Sequence, residues 1–221
     1  MDAAAAETGG ALGGDCVACF GSSDEFSFLL RPSTPLFGRR SMKLATVAAS
    51  TFAGAYARLW GLHFPDTPLA RSPAFDGRAV AYPTPRHARD YVAWRQADAH
   101  INTQYNAAFW ALVSHAGLDR AAAKARLDRT GKGAKNEILF QAGVNYNDLP
   151  ARHRKGTLLV REASAAGVGG PPLSPPPTPH AHGWAALHVD AIQDAFWDAR
   201  PELLGEEERR LREGRGAGAR G

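Results

Sequence analysis

No run of apolar residues in this 221-residue chain reaches the roughly 20 that a bilayer-spanning helix needs, which excludes a helical membrane protein. The opening residues, MDAAAAETGGALGGD, carry neither the apolar core of a secretion signal nor the Arg-rich pattern of a transit peptide. Cysteine is scarce: Cys16 and Cys19 are the only two. A C-x-x-C pair is half a zinc site or a redox couple, and no second pair or His cluster completes it. A reducing compartment is the simplest inference, so an intracellular, cytoplasmic protein is expected, with nucleus and mitochondrion left open. Excess charge is also small. The net value of +4 permits a polyanionic partner without demanding one.

What is present suffices for one substantial domain with tails, since 44% of the residues are hydrophobic and can fill a core. Residues 1–15 are Ala/Gly-rich and read as a disordered tail. Residues 17–30 form a strand-turn-strand candidate, VACF and FSFLL around GSSDE. Residues 39–60 read as a helix whose apolar side is Leu44, Val47, Phe52, Tyr56 and Leu59. A Pro-rich loop follows over 62–78, then a short strand over 79–82. A long helix starts near Arg86 and ends before Gly117. Short helices are expected over 118–127 and 136–140, and a strand over 157–160. The domain therefore spans 16–162. A Gly/Pro-rich linker covers 163–186, a helix 187–205, and a charged tail 206–221.

The long helix holds the most informative string, WRQADAHINTQYNAAFWAL. Trp94, Ala97, Ile101, Tyr105, Ala108 and Leu112 recur at steps of three or four and predict a core-facing stripe. Gln96, His100, Thr103 and Asn106 share a neighbouring face, with Asn102 beside them. That face is rich in hydrogen-bonding groups but uncharged. It suits contact with bases or a sugar-phosphate chain, and it equally suits a satisfied polar seam against another helix.

Three further spots carry chemistry. Asp24 and Glu25 sit at the hairpin turn, where only one of two adjacent carboxylates can face a given site. A carboxylate in such a place can hold Mg²⁺, although a two-ion site needs ligands from more than one strand. Arg39, Arg40 and Lys43 cluster at a helix start, opposing its dipole unless a phosphate sits there. Lys135, Asn136 and Glu137, and then Arg152, His153, Arg154 and Lys155, form two more basic clusters fit to grip a nucleic-acid backbone.

In order along the chain, GSSDEFSF, FGRRSMKLATVAASTFAGAY, FDGRAVAYP, DYVAWRQADAHINTQYNAAFWAL, KNEILF, VNYNDLPARHRKGT and LHVDAIQDAFW resemble the tRNA-histidine guanylyltransferase family. The resemblance covers roughly residues 20–161 and 187–204. It implies an α/β fold: an antiparallel sheet with helices on one face, polymerase-palm or ferredoxin-like, incomplete at the N-terminus. It also implies a nucleotidyltransferase that adds guanosine from GTP to the 5′ end of tRNA-His, after ATP or GTP activates the 5′-phosphate, with two Mg²⁺ ions.

By that resemblance Asp24 is a catalytic metal ligand, Glu25 its acidic neighbour, and Ser23 lies beside the nucleotide. Arg40 and Lys43 hold triphosphate. His100, Asn102, Asn106, Lys135, Asn136, Arg154 and Lys155 handle nucleotide and tRNA. A homo-oligomer, tetrameric in the family, is implied, and Phe196–Trp197 is a candidate contact. The family's opening R-x-D-G-R-x-F strand, which supplies the other catalytic aspartate, has no match before Asp24. Severely impaired turnover by this chain is therefore expected, and a non-catalytic tRNA-binding or assembly subunit is the alternative.

Overall fold

The computed structural model describes residues 1–163, 178–180 and 183–204. Five strands form one antiparallel sheet in the order β2-β1-β3-β5-β4. They are β1 (Cys16–Ser22), β2 (Glu25–Leu30), β3 (Thr157–Arg161), β4 (Thr178–His180) and β5 (Trp184–Leu187). β1 lies inside the sheet, with Phe20 opposite Ser27 on one side and Leu158 on the other. The β1–β2 hairpin and β3 stand where the sequence places them. The strand expected over 79–82 does not form. No ladder partner reaches that segment, and extended backbone without a partner is not a strand.

Helices cover both faces of the sheet rather than the one expected. On the first face lie α1 (Asp2–Ala11) and α2 (Ser41–His63). Here Ala4, Ala5, Ala6, Phe52 and Ala55 pack with Cys16, Cys19, Leu159, Trp184 and Ala186. The α1 helix corrects the expectation of a disordered tail. Its alanines are the best helix formers, and their small side chains let the helix lie close against the sheet. At Gly9 a Cβ would sit 2.7 Å from the Trp184 ring, so the closest approach requires glycine.

On the second face lie α3 (Pro85–Ser114) and α7 (Asp194–Asp198). Val92 packs there with Phe20, Leu158, Val160, Leu187, Phe196 and Trp197. Trp197 is 1% exposed and its Nε1 donates to the carbonyl of Ala191, so Phe196 and Trp197 are core residues and not a contact for a second copy. Farther along α3, Ala108, Ala111 and Leu112 pack with α4 (Arg120–Leu127) and α5 (Lys132–Gln141). A five-residue helix, α6 (Ala151–Lys155), precedes β3. Part of the expected linker is structured, because β4 and the first residues of β5 belong to the sheet. The rest of that linker, 164–177 and 181–182, and the tail 206–221 lie outside the described residues.

A bulge between Cys16 and Ala18 sets the cysteine geometry. Residues three apart on a regular strand face opposite sides, and the extra residue of a bulge restores them to one side. Both thiols are buried on the α1 face, 3.8 Å apart and reduced. Burial, and then the Cys16 sulfur beside it, push the Cys19 thiol well above its ordinary pKa.

Candidate functional site

The hairpin turn holds Ser23 and Asp24, both exposed, with Ser23 in the left-handed region at φ 58°. Glu25 is ion-paired to Arg95 of α3, and Arg95 also reaches Asp98 at 3.3 Å. Glu25 is thus held by a guanidinium, and among the described residues Asp24 forms no ion pair. Among the described residues no group of three or more His, Cys, Asp or Glu side chains could share a metal ion. A two-ion site needs several carboxylates around ions about 4 Å apart. The donors here do not fit one.

Arg40 and Lys43 stand elsewhere. Arg40 Nε donates to the Phe37 carbonyl at 2.9 Å, and the Lys43 ammonium lies 5.2 Å from the centre of the Phe37 ring. Arg39 donates to the carbonyls of Pro32 and Thr34. All three follow the far end of β2, whose near end adjoins Asp24. Six residues of strand separate the two ends by about 17 Å. Among the described residues no hydrogen bond or ion pair joins Asp24 to Arg40 or Lys43, whose contacts are with Phe37.

The polar side of α3 divides in two. Gln96 is a seam: Nε2 donates to the carbonyls of Lys155 (2.8 Å) and Val189 (3.0 Å), and Oε1 accepts from Ala191 N (2.8 Å). Gln104 is another, donating to Asn136 Oδ1 at 2.6 Å. Thr103 donates to the His153 carbonyl. Asn102 and Asn106 are exposed. The expected apolar stripe holds at Ala108 and Leu112 but is rotated in the first half of α3. Trp94 and Ile101 are each 59% exposed, while Val92, Gln96 and Ala99 are buried. Buried amides with their hydrogen bonds made, as at Gln96, substitute for apolar groups on the inward face.

His100 lies between these seams. Tyr146 bonds its ring, while Lys132 on α5 and Arg154 on α6 act on it electrostatically. Burial, then those two cations, hold the imidazole below its ordinary pKa. Arg154 Nε donates to the Leu149 carbonyl at 2.8 Å. Lys135 gives its ammonium to the Thr130 carbonyl, and Arg152 is ion-paired with Asp2. So the structure brings His100, Asn136, Arg154 and Lys155 to one region with Lys132 and Tyr146, and leaves Ser23 and Asp24 at the hairpin. Sequence reasoning passed over Arg95, Lys132 and Tyr146. The signal for Tyr146 was its place in VNYNDLP, just before the basic cluster.

Two family models match the chain, "tRNAHis guanylyltransferase" over residues 1–83 and "Thg1 C terminal domain" over 86–182. A probable tRNA(His) guanylyltransferase of Mus musculus is 42% identical over 87% of this chain and 68% of its own length. The tRNA(His) guanylyltransferase of Debaryomyces hansenii is 42% identical over 86% of this chain and 75% of its own.

The chain belongs to the tRNA(His) guanylyltransferase family.

Its fold agrees. The crystal structure of the Saccharomyces cerevisiae tRNA(His) guanylyltransferase superposes with a TM-score of 0.69 at 42% identity, covering 72% of this chain and 71% of that one. A bacterial guanylyltransferase-like protein in complex with ATP shares the fold at a TM-score of 0.63 and 21% identity, over 92% of this chain and 80% of its own. The relatives' name is that of a nucleotidyltransferase, and the two family models meet where Thr84 caps α3. The chain spans 63% of the length of its Drosophila melanogaster relative, a probable tRNA(His) guanylyltransferase 44% identical to it.

Proposed function

We propose that this chain works on tRNA-His and GTP as a guanylyltransferase, adding guanosine to the RNA 5′ end after ATP or GTP activates the 5′-phosphate. The observation that carries the reading is the α3–α5–α6 region. There His100 is flanked by Lys132 and Arg154, with no carboxylate among the described residues acting on its ring, and Asn102 and Asn106 stand exposed on the same helix. Cations position a phosphate chain, while amides and an imidazole read bases and sugars. In this reading His100, Asn102, Asn106, Lys135, Asn136, Arg154 and Lys155 bind RNA or nucleotide. Ser23 and Asp24 lie by the reacting end, and Glu25, paired with Arg95, shapes the hairpin.

In this reading Arg40 and Lys43 hold a triphosphate, and the chain acts as a homo-oligomer. Mg²⁺ would neutralise phosphate charge in this chemistry. With Asp24 the hairpin carboxylate that forms no ion pair among the described residues, those residues do not assemble a two-ion site. Their own turnover is therefore severely impaired. The same donor set favours a second reading, a tRNA-binding or assembly subunit without catalysis.

The test is to incubate the purified chain with 5′-monophosphorylated tRNA-His, ATP, labelled GTP and Mg²⁺, with tRNA and GTP binding measured in parallel. Binding of both with little label incorporated is the expected result. Robust incorporation contradicts the impairment. Binding of tRNA without GTP establishes the second reading, and absence of tRNA binding overturns both.

A further inference from the structure

The Tyr146 hydroxyl lies 2.9 Å from Nδ1 of His100 and 3.2 Å from the carbonyl oxygen of the same residue. The two rings meet edge to face, their centres 5.0 Å apart. Tyr146 is buried and His100 half-buried. A phenol carries one proton and can accept another bond. When its proton goes to the His100 carbonyl, the phenol oxygen accepts from Nδ1–H. Among the described residues, Nε2 is then the ring nitrogen with no partner.

The charges around this ring are one-sided. Lys132 on α5 and Arg154 on α6 act on it, and neither forms an ion pair among the described residues. On α3, Arg95 is engaged with both Asp98 and Glu25. On α5, Lys135 is turned to the Thr130 carbonyl. Glu137 on α5 accepts from Gln141 Nε2, and Arg152 on α6 is paired with Asp2; His153 and Lys155 on α6, and Asp148 beside Tyr146, are the further titratable groups of α5, α6 and the segment before α6. Two cations without a counter-ion beside an imidazole repel one another, and an anion between them relieves that repulsion.

Resting on the reading of this chain as a tRNA-handling protein, we propose that His100, Lys132 and Arg154 form a clamp for a phosphate ester of RNA, and that Tyr146 is its positioning residue. Tyr146 occupies Nδ1, so that Nε2–H is the donor presented to a phosphate oxygen. Both ring nitrogens donate in this arrangement, so phosphate binding draws a proton onto His100. Affinity then rises as pH falls through the titration of the liganded ring.

The test uses the full chain, with His100 followed by ¹⁵N NMR while inorganic phosphate is added. Affinities for 5′-phosphorylated and 5′-hydroxyl forms of tRNA-His are measured between pH 5.5 and 8. Phosphate protonates His100 in the wild type, and tRNA affinity rises several-fold from pH 8 to 5.5. Tyr146→Phe loses most of that rise, Lys132→Ala weakens binding about tenfold at every pH, and His100→Gln binds without pH dependence. A preference for the 5′-phosphorylated RNA assigns the clamp to the terminal phosphate, and equal affinities assign it to the backbone. A His100 ring indifferent to phosphate, or a Tyr146→Phe variant with an unchanged pH profile, overturns the clamp. A ring that responds to inorganic phosphate in a chain that binds no tRNA upholds the clamp and overturns the function on which it was built.

Discussion

Gln96 donates from Nε2 to the Lys155 carbonyl at 2.8 Å, fastening the middle of α3 to the last residue of the basic helix α6. The same nitrogen reaches the Val189 carbonyl, and the amide oxygen accepts from Ala191 N. One buried side chain thus joins α3, α6 and the segment after β5. Gln96→Leu fits the volume but orphans two carbonyls and one N–H. Each orphaned group costs about 1–3 kcal/mol, less where water reaches it. A loss of about 2–4 kcal/mol is expected in chemical denaturation. A change below about 0.5 kcal/mol would show that the seam is not structural.

Gly156 turns the chain from α6 into β3 with φ +71° and ψ −168°, a region essentially reserved for glycine. A Cβ there would also meet the Gly21 carbonyl oxygen at 2.7 Å. Gly156→Ala should cost at least about 1–3 kcal/mol. It should also weaken RNA binding, because Arg154 and Lys155 are placed by this turn. Thermal unfolding and an RNA titration on the same sample check both effects.

The hairpin, the long helices and β3 were legible because their signals are local: alternation around GSSDE, and 3.6-residue spacing in 41–63 and 85–114. The α1 helix was not, since an alanine run reads as low complexity until a sheet is there to receive it. The rotation of α3 was hidden for a related reason. Gln96 and Gln104 look like surface residues, and only the carbonyls opposite them make burial favourable. Asp24, Glu25 and His100 were recognised by residue type and motif. That Arg95 holds Glu25 and Tyr146 holds His100 depends on contacts 70 and 46 residues apart in sequence, which no local pattern announces.

The pH dependence of stability follows from His100. Its folded pKa lies below the ordinary 6.5, with burial as the first cause and Lys132 and Arg154 next. The neutral ring is therefore favoured by the fold. This group's stabilising share is complete above pH 6.5 and is lost as pH falls from 6.5 through the lower folded value. Without phosphate, unfolding free energy should drop over that window, and His100→Gln should flatten the drop. A wild-type profile no steeper than that of the variant would contradict the assignment.

Cys16 and Cys19 are buried beneath α1, and the Cys19 thiol is held well above its ordinary pKa by burial. Thiolate is the reactive form, so both should resist a thiol reagent in the native state and react together on unfolding. Reaction of either at the rate of a free thiol in native buffer would contradict this placement.

The most direct test of the account is the equilibrium affinity for 5′-monophosphorylated tRNA-His of the wild-type chain and of the Lys132→Ala/Arg154→Ala double variant, over a series of salt concentrations. Each phosphate contact removed lowers the salt slope by about one. The account predicts binding at least tenfold weaker in the variant, with a salt slope smaller by about two, in protein that still unfolds cooperatively despite the lost Arg154–Leu149 hydrogen bond. Equal affinity and equal slope in the two proteins would contradict it.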